Sequence, residues 1–454
     1  MEQLVLWLII LTEIGFAVFS FVKQREKLQW LRNRCCVSAV ELVLYLLLLP
    51  FPGIDFTFRY KIFFYLLIVR VFLSTLCYVL KKKKAIGVKH GFGIVISGLL
   101  GIVILSLSLI PSFIFADYQG LSTTGSHEVA MTNAILVDSS RIETFETDGS
   151  CREVPLYFYY PADADGSETY PLIVFSHGAF GYYMSNTSTY MELASHGYVV
   201  VSLDHPYHSF FTKDTAGKTI TVSPEFINNV FYINEETTPE QEIYELSSEW
   251  IDLRIADMGF VLDSIESSQN VSALSDAWFL GNTEESTIQC VLNSIDCDRI
   301  GLMGHSLGGG ASVTLGRVRD DIDAVIDLDG TMLGEETGYD TATNSYTFVN
   351  GAYPVPLLSI DNEEHHTSGE IVGSYYVNNV VIDNAIDGHN TYFIGSGHMN
   401  FTDLPLFSPF LASKLGTGTI DEVHAVETMN AIVLNFMDYY LLGEGSLNIQ
   451  ESYE

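Results

Sequence analysis

Four apolar runs crowd the first 116 residues of this chain, at about 4–22, 37–53, 62–80 and 93–116. Each is close to the ~20 residues that a helix needs to cross ~30 Å of hydrocarbon. The pattern therefore predicts an all-α membrane domain of four spans over 1–116. The opening "MEQ" supplies no basic n-region, so the first run is expected to be a span and not a cleaved signal. Lys and Arg cluster in "KQREKLQWLRNR" after the first run and in "KKKKAIGVKHG" after the third, while "PGIDFTFRYK" between runs two and three holds only Arg59 and Lys61. Positive loops stay cytoplasmic, which predicts a multi-pass protein of the cell membrane with everything after Ala116 extracytoplasmic.

Two runs carry charge at mid-membrane depth. Glu13 lies nine residues before the end of the first run and Arg70 ten before the end of the third. At 1.5 Å per residue they sit within about 2 Å of the same depth. Such residues are costly in lipid and usually pair inside a bundle. The expectation is a structural Glu13–Arg70 pair, with Glu41 as the competing partner.

Charge divides the chain at the same place. Residues 1–120 hold 13 Lys and Arg against 6 Asp and Glu, and the other 334 hold 9 against 50, so the net −34 is +7 followed by −41. A domain this acidic is a poor partner for nucleic acid or anionic headgroups. Cysteine constrains less: an oxidising compartment would allow a Cys290–Cys297 bridge, and no Cys/His cluster has structural zinc spacing.

Residues 117–150 are polar and read as a tether and entry region. Beyond them, over 151–445, apolar runs such as "YPLIVFSHG", "GYVVVSLDHP", "DRIGLMGHS" and "VPLLSIDN" alternate with helix candidates near 187–195, 244–268, 307–319 and 420–442. Runs this continuously apolar fit strands buried on both faces of a parallel sheet, which makes the domain α/β. The weakly periodic stretches 205–245 and 330–354 are candidate cap segments.

The motif that carries chemistry is "GHSLG", Gly304 to Gly308, a G-x-S-x-G pattern between the strand "RIGLM" and the helix-compatible "ASVTLGRV". In that context Ser306 sits on a sharp strand-to-helix turn as a nucleophile. A hydroxyl needs a base, and among the 12 histidines His398 in "YFIGSGHMNF" alone follows a clear strand and a glycine turn late in the chain. His365, His366 and His389 lie on polar stretches, and His305 is expected to point elsewhere. Asp329 and Asp361 both end strands and both suit the acid that orients the base; Asp327 lies one step deeper. The backbone N–H groups of Leu307 and of Ala179, in "IVFSHGAFG", are placed to hold an oxyanion.

With these pieces in order, "FSHGAFG", "ELASHGYVVVSLDHP", "DRIGLMGHSLGGGASV", "IDLDG", "PVPLLSIDNEE" and "GSGHMNFTDL", residues 150–440 resemble the platelet-activating factor acetylhydrolase family of type II α/β-hydrolases. The resemblance implies an α/β-hydrolase fold and Ser306, Asp329 and His398 as the triad. It also implies Leu307 and Ala179 as oxyanion donors, and short-chain acyl esters or phospholipids with a short or oxidised sn-2 chain as substrates. No metal or organic cofactor is implied. The chain departs from the family at Leu307, where phenylalanine is frequent, in an expanded 362–390, and in its four spans. "GHSLGGG" and "GSGHMNF" are also similar to polyester hydrolases and cutinases, whose acid maps to Asp361. The expected function is a membrane-tethered serine ester hydrolase. The rival readings are a polyester or xenobiotic esterase, a serine peptidase, and a catalytically idle surface receptor on the same fold.

Overall fold

The computed structural model describes residues 2–23, 26–47, 58–118 and 120–454. They fall into two compact units, Met1–Gln119 with Phe407–Leu411 and Gly120–Leu406 with Ala412–Glu454.

The first unit is built on four helices: α1 (Glu2–Val22), α2 (Lys27–Leu46), α3 (Phe58–Lys81) and α4 (Gly91–Ser108). Of these, α3 and α4 are long and apolar enough to cross a membrane, and the apolar part of α1 is Trp7–Val22. The second run differs from its expected 37–53. Its helix begins at Lys27, because Lys, Leu, Gln and Arg are good helix formers and carry the helix back through the basic segment. The rest of that run, from 48, lies outside the described residues.

Side-chain placement in this unit is inverted. Phe72, Leu80 and Phe92 are 63%, 67% and 77% exposed, whereas Glu13 and Glu41 are fully buried. Arg70 donates to Glu13 at 2.8 Å, so the expected pair is present. It also donates to Glu41 at 3.0 Å, so the two carboxylates share it rather than compete. Arg34 completes the group, with Nη1 at 2.5 and 2.7 Å from the Glu13 oxygens. It was hidden in the sequence because it belongs to the basic segment that reads as a loop.

The second unit is an α/β domain around one ten-stranded sheet. Its strands are β1 (Val129–Ile142), β2 (Cys151–Pro161), β3 (Tyr170–Ser176), β4 (Val199–Leu203), β5 (Trp278–Phe279), β6 (Ile295–His305), β7 (Ala324–Leu328), β8 (Leu357–Asn362), β9 (Gly388–Phe393) and β10 (Ser452–Tyr453). Their order across the sheet is β10-β9-β8-β7-β6-β3-β4-β2-β1-β5. From β4 through β3 and β6 to β10 every pairing is parallel, and the pairings β4–β2, β2–β1 and β1–β5 are antiparallel. Residues 117–150 are the segment expected to form a tether and entry region. They contain β1, paired with β2 along most of its length, and the polar stretches "LSTTGSH" and "ETDGS" on either side of it are what made the segment read as linker.

Every residue of β3, β4 and β7 is buried, as strands covered on both faces require. Helices α5 (Thr187–Ser195), α6 (Glu240–Ser267), α7 (Leu307–Val318) and α8 (Glu422–Met437) occupy the four expected helical stretches. The two candidate cap stretches contain short hairpins, Phe211–Lys213 with Thr219–Thr221 and Glu336–Asp340 with Ser345–Phe348. Cys290 and Cys297 are both free thiols.

Candidate active site

Parallel strands β3, β6, β7, β8 and β9 all end at one edge of the sheet; Ser306 and Asp329 directly follow β6 and β7, Ala179 and His398 lie a few residues beyond β3 and β9, and Asp361 lies at the end of β8. The ladder continues past them: Ser306 N–H donates to Leu328 O, and Asp329 N–H donates to Ile360 O, both at 2.9 Å. Ser306 has φ 56° and ψ −125°, a conformation L residues rarely adopt. It fits because its neighbours lack side chains: a Cβ on Gly304 would lie 2.2 Å from the Gly308 carbonyl carbon, and one on Gly308 would lie 2.0 Å from Ser176 O. Asp329 also has a positive φ, of 53°.

The side chains behind Ser306 form a chain of contacts. His398 Nδ1–H donates to Asp329 Oδ2 at 2.6 Å. The His305 ring lies 4.6 Å from the His398 ring, and its Nε2–H donates to His398 O at 3.1 Å. His305 thus turns away from Ser306 as expected, but into His398, where it supports that loop. Burial and the nearby His398 lower its pKa to about 3, so it stays neutral. Ser306 is half-buried, and its hydroxyl makes no hydrogen bond among the described residues.

Asp329 is held by more than His398. Its carboxylate accepts from Asn362 N–H at 2.7 Å, Asn362 Nδ2 at 2.6 Å and His365 Nδ1 at 3.1 Å. Burial alone would raise its pKa, but the hydrogen bonds and charge of His365 and His398 hold it well below the usual carboxylate range. His365, set aside as a base, is instead a second imidazole on the same carboxylate. Burial opposes its charge, yet Asp329, with Asp361 and Asp327 beyond, raises it to about 9. Its Nε2 bonds to the Tyr376 hydroxyl.

Asp361 makes no hydrogen bond to either imidazole among the described residues. It accepts from Ser359 Oγ at 2.9 Å and Asn390 Nδ2 at 2.7 Å, and burial raises its pKa. Asp329, Asp361 and His365 each offer one ligand atom within 4.8 Å of the others, the geometry of a metal cluster. All three are already engaged in hydrogen bonds, so the arrangement is accounted for as a polar network.

The expected oxyanion donors flank Ser306. Leu307 opens α7, where a first-turn N–H has no partner within the helix. Gly178 brings the other strand end close: a Cβ there would be 3.2 Å from Ser306 Cβ. Gly178 O accepts from His177 Nδ1 at 2.7 Å, Gly181 N–H at 3.1 Å and Arg254 Nη2 at 3.4 Å. That oxygen and Ala179 N–H share one trans peptide plane and point in opposite directions. Anchoring the oxygen in the interior therefore turns the N–H outward.

Arg254 comes from α6 and is fully buried; it also donates to His177 O and to Ser176 Oγ. Beside it Asp257 accepts from Arg152 at 2.7 and 3.1 Å and from His205 at 2.9 Å. Burial, opposed by the Asp257 charge, lowers Arg254 to about 9. Neither residue was singled out in the sequence. A signal was present: both lie on the buried face of α6, four and seven residues after Trp250, where an apolar side chain would be expected.

Against this geometry the comparisons are specific. The family model for platelet-activating factor acetylhydrolase, isoform II, matches residues 142–447. The chain belongs to that family. Similar proteins include the platelet-activating factor acetylhydrolases of Canis lupus familiaris, 24% identical over 280 residues (60% of this chain, 58% of that one), and of Gallus gallus, 26% identical over 293 residues (60% and 63%). The chain thus covers less than two thirds of the length of these acetylhydrolases. A solved ferulic acid esterase from Streptomyces cinnamoneus superposes with a TM-score of 0.52 at 19% identity, over 74% of this chain and 97% of that one. The likeness shows the fold, an α/β-hydrolase fold, as the family resemblance implied.

Proposed function

We propose that this chain is a membrane-tethered serine ester hydrolase with Ser306, His398 and Asp329 as its triad. The observation that carries the reading is a serine in strained backbone at a strand–helix turn, with an imidazole fixed 2.6 Å from a buried carboxylate that follows the neighbouring strand. His398 Nε2 takes the Ser306 proton as Oγ adds to the ester carbonyl. The N–H groups of Leu307 and Ala179 hold the resulting oxyanion, and Asp329 stabilises the imidazolium. The imidazolium then protonates the departing alcohol oxygen, which leaves an acyl-Ser306. Water, deprotonated by the same nitrogen, adds to that acyl group, and the acid leaves as Ser306 recovers its proton.

Family membership supports short acyl esters as substrates, among them phospholipids with a short or oxidised sn-2 chain. Two helices of spanning length, with apolar side chains outside and charges inside, support the membrane tether. The positive loops favour an extracytoplasmic catalytic unit.

The test is ester turnover by the full chain in detergent. Wild type should hydrolyse p-nitrophenyl acetate and a 2-acetyl phospholipid, and Ser306→Ala should lose on the order of 10⁴-fold or more. Undiminished turnover in that variant would sink the mechanism.

A further inference from the structure

We infer that a lysine-rimmed cavity in the first unit is a binding site for the phosphate headgroup of an anionic phospholipid. The inference rests on the membrane reading above. The cavity has a volume of about 600 Å³, within the range of small-molecule sites, and is formed by α2, α3 and the segment joining α3 to α4. Lys27, Lys81, Lys84 and Lys89 line it, and among the described residues none of the four has an acidic partner. Arg34 and Arg70 form its inner wall, but their charge is spent on Glu13 and Glu41. The uncompensated charge is therefore that of the lysines. Lys89 Nζ sits 4.2 Å above the Trp30 ring. Burial, with the charges of Lys81 and Lys27, lowers its pKa, as expected where cations gather without a counter-ion.

A second observation also points to a ligand. Ser38, on the cavity wall, is 1% exposed, and among the described residues neither its hydroxyl nor the Trp30 indole N–H on the same wall has a hydrogen-bond partner. A buried donor left without an acceptor is destabilising, and phosphate or ester oxygens are acceptors that would satisfy both. The remaining wall favours an amphiphile over a bare anion. Leu73 lines the cavity and is 51% exposed on the flank of α3, so a bound headgroup has an apolar exit for its acyl chains. Basic pockets between spans on the cytoplasmic side, where the positive-loop rule places these lysines, are suited to such headgroups.

The experiment measures lipid retention by the purified full chain with native mass spectrometry, after detergent exchange with phosphatidic acid or phosphatidylcholine of the same acyl chains. Phosphatidic acid should be retained about tenfold over phosphatidylcholine. Lys81→Gln/Lys89→Gln should abolish the preference while turnover of p-nitrophenyl acetate stays at the wild-type rate. Ser38→Ala should weaken the preference several-fold without lowering stability in the absence of lipid, a result that a purely structural serine would not give. Equal retention of both lipids overturns the inference, as does a preference that survives both variants. Inorganic phosphate that competes as well as the lipid at equal concentration overturns the lipid assignment in favour of a free anion. A chain that stays soluble after carbonate extraction without detergent sinks the membrane reading itself, whereas a membrane-integral chain without lipid preference sinks only this proposal.

Discussion

The two units bury charge in opposite settings. In the first, Glu13, Glu41, Arg34 and Arg70 form a balanced group of two carboxylates and two guanidiniums inside helices whose outer faces are apolar. In the second, Arg152, Asp257, His205 and Arg254 lie within an apolar core, and the group does not close on itself: Arg254 reaches backbone carbonyls next to Ser306. A closed group of charges can hold helices together. An open one can also aim a peptide plane, and so couple core packing to the proposed chemistry.

Variants can break that distinction, and the proposed acid comes first. Asp329→Asn should lower kcat on the order of 10⁴-fold by leaving His398 in the wrong tautomer. Asp361→Asn, which leaves the His398 contact intact, should cost at most several-fold. The reverse ranking would move this chain to the polyester-hydrolase arrangement.

Arg254→Met should lower kcat about 10²-fold with KM unchanged, the loss expected when one oxyanion donor drifts, and Arg254→Lys should restore part of it. A change confined to stability would reduce the second cluster to the same role as the first. Conversely, Glu13→Gln should destabilise the full chain in detergent by about 3 kcal/mol, since it leaves buried guanidiniums short of a counter-charge, with ester turnover per folded molecule unchanged.

The smallest effect is in pH. His365 has a pKa raised to about 9 in the folded chain, above the ~6.5 of an unfolded histidine. Its contribution to stability is complete below about 6.5 and fades as pH rises through 9. His365→Gln should flatten that part of the stability profile, read by thermal unfolding against pH.

The same comparison explains what the sequence disclosed. Glu13 and Arg70 were legible together because helical rise converts residue number into depth. Ser306, Asp329 and His398 were legible because each follows a strand, and parallel strands bring their ends to one edge. Arg254, Asp257 and His365 were not. Arg152 meets Asp257 across 105 residues, and no local period encodes that contact. His365 reads as an ordinary polar residue at the start of a helix until β8 is set beside β7. Strand β1 escaped for a different reason: polar stretches flank it on both sides.

The backbone of Ser306 has one more consequence. Its φ of 56° suits glycine far better than serine, so the fold is less robust there than it could be. Ser306→Gly should melt a few degrees above wild type while turning over no ester, and what it gains in heat resistance measures the stability given up to hold the hydroxyl in place.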